Sequence, residues 1–153
     1  MSVVIDSSVV VAALVDSGAH GDWAAEVLAG GSLQAPELVR AEATNILRRL
    51  ERAKLISTPE ANSAQDDLVQ LDVELFVFEP FANRIWELRH NVTSYGAWYV
   101  ALAEALELPL ATLDEPLTKS NGVTCEFLTP GFWRREPHAQ AYAIRLAGRR
   151  TKK

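Results

Sequence analysis

The chain has 153 residues, about one domain, and 48% of them are hydrophobic, which excludes a disordered or fibrous protein. Its single cysteine, Cys125, lies in an apolar run and cannot form an internal disulfide, so we expect a buried structural thiol in a reducing compartment. The longest unbroken apolar stretch, Val9 to Val15, is far shorter than the roughly 20 residues that span a bilayer. No basic segment precedes it as in a signal peptide, and we expect a cytoplasmic protein.

The net charge of −5 conceals two basic regions. Residues 134–153 carry seven Lys or Arg and one Glu, a local charge of +6, so the remainder carries −11. Five of the eight basic residues in that remainder fall in the fifteen-residue segment from Arg40 to Lys54. Such patches can attract a polyanion even when the whole chain is acidic. A solvated helix face and a frayed tail explain the same pattern, and the sequence leaves both interpretations open.

Short runs of strand-forming residues alternate with longer helical patterns along the chain. The runs that predict strands are Val3–Ile5, Leu33–Ala35, Leu75–Phe78, Leu108–Leu113 and Val123–Leu128. This alternation predicts an α/β fold in three layers, with helices on both faces of a mainly parallel sheet and all strand carboxyl ends at one edge.

The pattern changes after Pro130. We expect a single domain over residues 1–130 and a basic C-terminal appendage over residues 131–153, with a helical stretch from His138 to Leu146. The aromatic residues of the appendage are Phe132, Trp133 and Tyr142. Their side chains either dock a partner or cover the edge of the sheet.

Carboxylates follow two of the predicted strands. Asp6 ends the first strand, and Asp114 follows the fourth. Ligands of open parallel sheets gather beyond the carboxyl ends of the strands, so we expect these two side chains to converge there.

The helix predicted from Glu37 to Lys54 has two distinct faces. At about 100° per residue, one apolar face is formed by Ala43, Ile46, Leu47 and Leu50. A second stripe has members three or four residues apart, namely Glu42, Asn45, Arg49 and Arg52. A Glu near a helix start is usually structural. Here Glu42 is expected to reach over toward Asp6 and Asp114.

Three carboxylates in one pocket require a counter-ion, because like charges a few Å apart raise one another's pKa. A hard divalent cation with oxygen ligands removes that penalty, and Mg²⁺ or Mn²⁺ is the expected occupant. The sequence has no Cys/His spacing for zinc, no glycine-rich phosphate loop and no Ser–His–Asp signature; the histidines are scattered at His20, His90 and His138.

The helix predicted from Ala97 to Glu107 is nearly apolar around its circumference and is expected to be buried against the sheet. Thr93 or Ser94 can cap it, and Gly96 lies in its first turn.

Four segments together resemble the PIN-domain ribonucleases of the VapC toxin family, the nuclease half of a type II toxin–antitoxin pair. They are Val4–Ser8, Ala41–Asn45, Ser94–Glu104 and Ala111–Asp114, and the resemblance covers about residues 1–130. It implies a PIN-like fold and an Mg²⁺-dependent endoribonuclease that cuts structured RNA such as tRNA or ribosomal RNA. It also implies inhibition by a VapB-like antitoxin, a homodimer and a toxin–antitoxin hetero-oligomer.

The resemblance also implies roles for individual residues. Asp6 would be a direct metal ligand, Glu42 would orient the metal or its water, and Asp114 would complete the acidic pocket. Supporting polar side chains around these acids would be Ser7, Ser8 and Asn45. The arginines beside the pocket, which would contact the RNA backbone, are Arg48, Arg49 and Arg52. The basic tail would be a second contact. Salt bridges to acidic helices are the competing assignment.

Gly96 departs from the family pattern, which has an Asp after the Tyr as a principal metal ligand. Glu104, two turns further along the helix, and Glu115, directly after Asp114, are not expected to replace it. A missing carboxylate lowers metal affinity and transition-state stabilisation, so we expect an inactive or weakened nuclease. Gly96 is either an inactivating change in an active toxin or the mark of a pseudo-nuclease that keeps the fold for binding.

Two other classes of function fit parts of the sequence. In a non-catalytic module that binds antitoxin or RNA, the acidic pocket would accept an Arg of the antitoxin. An Asp6-based phosphotransfer enzyme is disfavoured, because such a site needs a second acid directly after the strand, where Ser7 and Ser8 stand.

Overall fold

The computed structural model describes residues 1–134. Within them, five strands form one sheet in the order β3-β2-β1-β4-β5, and every neighbouring pair is parallel. The strands are β1 Val3–Ile5, β2 Leu33–Pro36, β3 Glu74–Phe76, β4 Leu110–Ala111 and β5 Phe127–Leu128. The parallel α/β fold predicted from the sequence is confirmed.

Helices flank this sheet. In the described part of the chain they are α1 Ser7–Val15, α2 Ala19–Ala29, α3 Val39–Arg52, α4 Thr58–Gln70, α5 Ala82–Glu87, α6 Ser94–Leu106 and α7 Glu115–Thr118. Short 3₁₀ turns cover Glu79–Phe81 and Gly131–Arg134. α6 packs across β1, β2 and β4, whereas α1 packs against α2, α3 and α4. Among residues 1–134, none of the helices is long and apolar enough to cross a membrane.

The central strand explains why the site is buried. All three residues of β1 have almost no solvent exposure, because α6 and α1 supply apolar side chains to the same core. α1 begins directly after β1, so the residue between them, Asp6, stays at the edge of this core with only 6% of its surface exposed. The fold therefore places a carboxylate where water reaches it poorly.

Several strands are shorter than predicted. β4 covers Leu110–Ala111 instead of Leu108–Leu113, and β5 covers Phe127–Leu128 instead of the longer run that begins at Val123. β1 has only three residues, and a neighbouring strand can pair only alongside it. β3 also ends two residues early, at Phe76, and Cys125 lies half-buried ahead of β5 and not within it.

Two helix boundaries also differ from the prediction. α3 begins at Val39 and not at Glu37, because the Glu37 amide donates to the Phe76 carbonyl at 3.0 Å and so continues the pairing of β2 with β3 past Pro36. α6 begins three residues early, at Ser94, because the Thr93 hydroxyl accepts the Gly96 amide at 3.2 Å and caps the first turn.

The start of the C-terminal appendage packs on α2. Trp133 Nε1 donates to His20 Nε2 at 3.2 Å, and the Phe132 ring meets the His20 ring edge-on at 5.1 Å between centroids. These two aromatic side chains therefore cover part of their own domain. Tyr142, the predicted helix from His138 to Leu146 and the basic tail lie outside the described residues, and the domain division at residue 130 stays a prediction.

Candidate metal centre

Asp6 is held by three hydrogen bonds. Its Oδ1 accepts the Val9 amide at 3.1 Å as the N-cap of α1, and it also accepts the Ser8 hydroxyl. Its Oδ2 accepts the Thr112 hydroxyl. Both carboxylate oxygens are thus oriented before any ligand binds, and this leaves little rotational freedom to lose on binding.

The same two hydroxyls join the end of β1 to the turn after β4. Ser8 Oγ accepts the Leu113 amide at 3.1 Å, and Thr112 Oγ1 accepts the Asp114 amide at 2.9 Å. Each hydroxyl therefore donates to Asp6 and accepts from the backbone that carries Asp114. The structure brings Asp6 and Asp114 to adjoining turns at the carboxyl edge of the sheet.

Asp114 caps a short helix of its own. Its Oδ1 accepts the Leu117 amide at 3.2 Å at the start of α7. Within residues 1–134, Oδ2 accepts no hydrogen bond. The half-buried Asp114 carboxylate therefore keeps one oxygen available for a ligand.

Burial raises the pKa of the Asp6 carboxyl to about 6, and the nearby charge of Asp114 adds to this effect. The hydrogen bonds from Ser8, Thr112 and Val9 act in the opposite direction but do not cancel it. Within residues 1–134, no cationic side chain pairs with Asp6 or Asp114. A buried carboxylate of this kind is costly to ionise alone, and perturbed acids of this kind concentrate at functional sites.

Glu42 is the third predicted acid. It is half-buried in the first turn of α3, and the Tyr99 hydroxyl donates to its Oε1 at 2.7 Å. Among residues 1–134, no three His, Cys, Asp or Glu side chains are arranged to share a metal ion. The three predicted acids are therefore not grouped as one metal-holding cluster in this part of the chain, and the Tyr99 hydroxyl of α6 is a partner of Glu42.

Gly96 faces the acidic turn from α6. A Cβ placed on it would lie 3.1 Å from Val92 Cγ1 and 3.4 Å from Leu117 Cδ1, and Leu117 belongs to the helix that Asp114 caps. Gly96 lies in the helix and does not adopt a positive φ, so its backbone does not require glycine. A Cβ atom at this position requires the Val92 methyl group to move by a few tenths of an ångström.

The two other acids considered as replacements at Gly96 have partners elsewhere. Glu104 pairs with Arg84 through an N–O contact of 2.7 Å, and Glu115 pairs with Lys119 at 2.8 Å. Each of these carboxylates therefore already has a cationic partner.

The remaining predicted site residues differ in their exposure to solvent. Ser7 is buried beside Ser8, whereas Asn45 is exposed on α3. The arginines predicted to contact RNA lie in the C-terminal half of α3. Arg48 and Arg52 are exposed there, and Arg49 is half-buried. Arg40 is not part of that surface, because its guanidinium donates to the Leu68 and Leu71 carbonyls and fastens α3 to α4.

Thr112 was not singled out in the sequence, although it touches both acids. The signal that could have identified it is a hydroxyl residue two positions before Asp114, at the end of a strand expected to be wholly buried. A polar side chain there must find an internal partner. In the structure it is fully buried, and that partner is Asp6.

The donor set fits a hard divalent cation. Asp6 and Asp114 offer carboxylate oxygens without a competing sulfur or imidazole ligand beside them among the described residues. Mg²⁺ is often held by one or two protein carboxylates, with water and substrate phosphate completing its shell. Two carboxylates are therefore enough for a site of this kind.

The sheet order and the acidic carboxyl edge define a PIN domain, and the PIN domain family model matches residues 3–120. Ribonuclease VapC1 of Mycobacterium tuberculosis is 40% identical over 124 residues, which cover 80% of this chain and 93% of that protein. The chain belongs to the VapC family of PIN-domain proteins.

Two solved structures share the fold. VapC20 of Mycobacterium tuberculosis, described as a toxin that cleaves the sarcin–ricin loop, aligns with a TM-score of 0.59 at 16% identity, over 80% of this chain and 96% of its own. VapBC2 of Rickettsia felis, bound to a DNA fragment from its promoter, aligns with a TM-score of 0.59 at 12% identity, over 84% and 98%. At these identities, the likeness concerns the fold alone.

Proposed function

We propose that the chain is an endoribonuclease toxin of a VapBC-type pair, dependent on Mg²⁺ or Mn²⁺, and weakened or inactive because Gly96 replaces a carboxylate ligand. One observation carries this proposal: Asp6 and Asp114 are linked through Ser8 and Thr112 at the carboxyl edge of the sheet, with no cation paired to either within residues 1–134. The identity to a protein named as a ribonuclease supports the same activity.

The residues of the chain would divide the work as follows. A bound divalent cation supplies an activated water and offsets charge on the scissile phosphate. Asp6 would hold the cation, with its carboxylate fixed by Ser8 and Thr112. The Asp114 oxygen that has no donor among residues 1–134 would be a second ligand. Glu42, steadied by the Tyr99 hydroxyl, would orient water at the rim.

We also propose structured RNA, such as tRNA or ribosomal RNA, as the substrate. VapC20, which shares the fold, is described as cleaving the sarcin–ricin loop. The exposed Arg48 and Arg52 extend along the helix that carries Glu42, where phosphates could follow. A VapB-like antitoxin is proposed as the partner because a VapBC assembly shares the fold. Assembly as a homodimer and a cytoplasmic location belong to the same proposal.

The deciding experiment compares RNA cleavage in Mg²⁺ by the chain as it stands and by Gly96→Asp. We expect Gly96→Asp to cleave at least roughly 100-fold faster, since one electrostatic group is commonly worth 10²- to 10³-fold in rate. Gly96→Ala is the control, because it adds a Cβ at the same place without a charge. Equal rates for Gly96→Ala and Gly96→Asp would contradict the ligand role of position 96.

A non-catalytic module is the second candidate. The absence of a carboxylate at Gly96 and the hydrogen bond that the Glu42 carboxylate already accepts from Tyr99 favour it. In that case an Arg of the antitoxin would pair with Asp6 and Asp114 and supply the missing positive charge. Antitoxin binding in EDTA would then weaken in Asp114→Asn, and Gly96→Asp would cleave none of several structured RNAs although folded.

A further inference from the structure

Two exposed aromatic side chains flank the loop between α5 and α6. Trp86, in the last turn of α5, is 67% exposed, and Tyr95, in the first turn of α6, is 58% exposed. Large aromatic side chains are usually well covered in a folded domain. Neither ring can be needed chiefly for the packing of its own domain, and this favours a role in binding.

A cation is already placed on one of these rings. The Arg89 guanidinium carbon lies 4.4 Å from the centroid of the Trp86 ring, and Arg89 Nη1 donates to the Trp86 carbonyl at 2.8 Å. These contacts fix the guanidinium over one face of the indole. Since Trp86 remains 67% exposed with Arg89 in place, the ring keeps surface available for a second flat group.

The composition of this surface fits single-stranded nucleic acid. The aliphatic side chains of the loop, Leu88 and Val92, are buried, so the exposed groups are rings, a guanidinium, an imidazole, an amide and hydroxyls. Residues 88–95 contain no acid, and the adjacent Glu87 pairs with Arg84. Aromatic rings beside cations are the usual means of binding single-stranded nucleic acid.

A different surface shows what a protein contact would look like. At the edge strand β3 and just beyond it, three apolar side chains are exposed together: Leu75, Val77 and Phe78. The buried core of a protein interface is more apolar than the surface around it, although Trp, Tyr and Arg are enriched there too. The loop between α5 and α6 lacks such aliphatic exposure.

The loop also borders the candidate metal centre. Tyr95 immediately precedes Gly96, whose Cβ position adjoins Leu117 in the helix capped by Asp114. Val92, from the middle of the loop, packs against the same position. A strand of RNA with its phosphate at Asp6 and Asp114 would therefore have this loop beside it.

We propose that Trp86, Arg89 and Tyr95 form a stacking surface for unpaired RNA bases next to the metal centre. The proposal rests on RNA being the substrate, as proposed above. The two rings stack against bases, and Arg89 meets the adjoining phosphate. Stacking on protein rings requires bases that are splayed out of a helix, so the surface selects loops and single strands over duplex RNA.

The test measures the binding of a fluorescein-labelled single-stranded ten-nucleotide RNA to the full chain by anisotropy, in EDTA so that no RNA is cut. We expect Trp86→Ala and Tyr95→Ala each to raise Kd about tenfold, because a stacked base loses its platform. Trp86→Phe and Tyr95→Phe should stay within about threefold, since a ring is retained. Arg89→Gln should weaken binding and flatten its dependence on salt.

Val69→Ala is the matched control, because Val69 is an equally exposed apolar residue on α4, and its Kd should not change. All these side chains are exposed, so folding can be checked by circular dichroism without an expected loss. The stacking surface is overturned if both alanine variants bind RNA like the parent chain, or if the parent chain does not bind the RNA at all.

The two proposals fail in different ways. Binding that depends on Trp86 without cleavage by Gly96→Asp would remove the nuclease and support the stacking surface. Cleavage by Gly96→Asp that is unchanged in Kd and rate by Trp86→Ala and Tyr95→Ala would support the nuclease and overturn the stacking surface. Loss of antitoxin binding alone in these variants would assign the surface to protein and also overturn it.

Discussion

The two ends of α6 lie beside carboxylates in opposite situations. In its third turn, Glu104 accepts two hydrogen bonds from Arg84, at 2.7 and 3.1 Å, and the Thr124 amide at 2.9 Å. At its first turn, Gly96 adjoins Leu117 in the helix that Asp114 caps, and Asp6 and Asp114 have no cationic partner within residues 1–134. The Glu104 carboxylate is paired with a cation, whereas the carboxylates of Asp6 and Asp114 are not.

The two clusters differ in how the fold shifts the pKa of their acids. Burial alone would raise the pKa of Glu104, but the Arg84 guanidinium holds it below its usual value, so this acid is stable as an ion. Burial raises the pKa of Asp6 to about 6, and nothing in the described chain neutralises it. The paired cluster of Glu104 and Arg84 stabilises the fold. Unpaired buried acids such as Asp6 are typical of ligand-binding sites.

The largest expected effect comes from removing the charge of Asp6. In the Gly96→Asp background, Asp6→Asn should lower RNA cleavage by roughly 10²- to 10³-fold, because a preorganised charge at the reacting phosphate is lost. Glu104→Gln, at the other end of α6, is the matched control and should leave the rate within about threefold. Rates are compared under single-turnover conditions in Mg²⁺. Equal losses in both variants would remove the distinction between the two clusters.

The next effect is on stability against pH. Asp6 titrates near pH 6 when folded and near its ordinary value of 3.8 when unfolded, so the folded state holds the proton more tightly. Its contribution therefore falls as pH rises between these values, by about 3 kcal/mol at most, at about 1.4 kcal/mol per pKa unit. Urea unfolding in EDTA should show this loss relative to Asp6→Asn. Excess Mg²⁺ should restore stability at about pH 7.5 and have little effect at about pH 5.

A parent chain that matches Asp6→Asn at every pH would contradict this account. The comparison with Asp6→Asn is needed because other carboxylates titrate over the same range and act in the usual direction, with stability lost as pH falls. Only the difference between the two proteins reports on Asp6.

A smaller effect is expected at Thr112. Thr112→Val keeps the shape but removes the donor to Asp6 and leaves the Asp114 amide without an acceptor, so we expect a loss of about 1–3 kcal/mol in unfolding free energy. Mn²⁺ affinity should fall by roughly 10- to 100-fold, as for other residues that orient a metal ligand. Thr112→Ser retains the hydroxyl and should recover most of both. Failure of Thr112→Ser to recover metal affinity would show that the methyl group, and not the hydroxyl, matters.

Thr112 also shows where sequence reasoning stops. The span of β1 and the parallel sheet could be predicted, because strand patterns and their alternation with helices are local in sequence. Alignment of Ile5 with Ala111 sets Asp6 opposite Thr112, and that register is a property of two strands over one hundred residues apart. The hydrogen bond of Tyr99 to Glu42 depends similarly on how α6 packs beside α3.

The smallest expected effect concerns the paired cluster of Glu104 and Arg84. Arg84→Met should lower the free energy of unfolding by about 1–2 kcal/mol, because Glu104 loses its partner, although partial exposure of Arg84 lets water replace some of that interaction. The double variant Arg84→Met with Glu104→Gln should recover part of the loss, since no unpaired charge remains. Urea unfolding near neutral pH measures both.

Because the pKa of Glu104 is lowered in the fold, the contribution of the pair should persist at neutral pH and disappear as pH falls below the ordinary value of 4.5. Mn²⁺ affinity should be the same in all these variants, and a change in it would mean that the two ends of α6 are coupled.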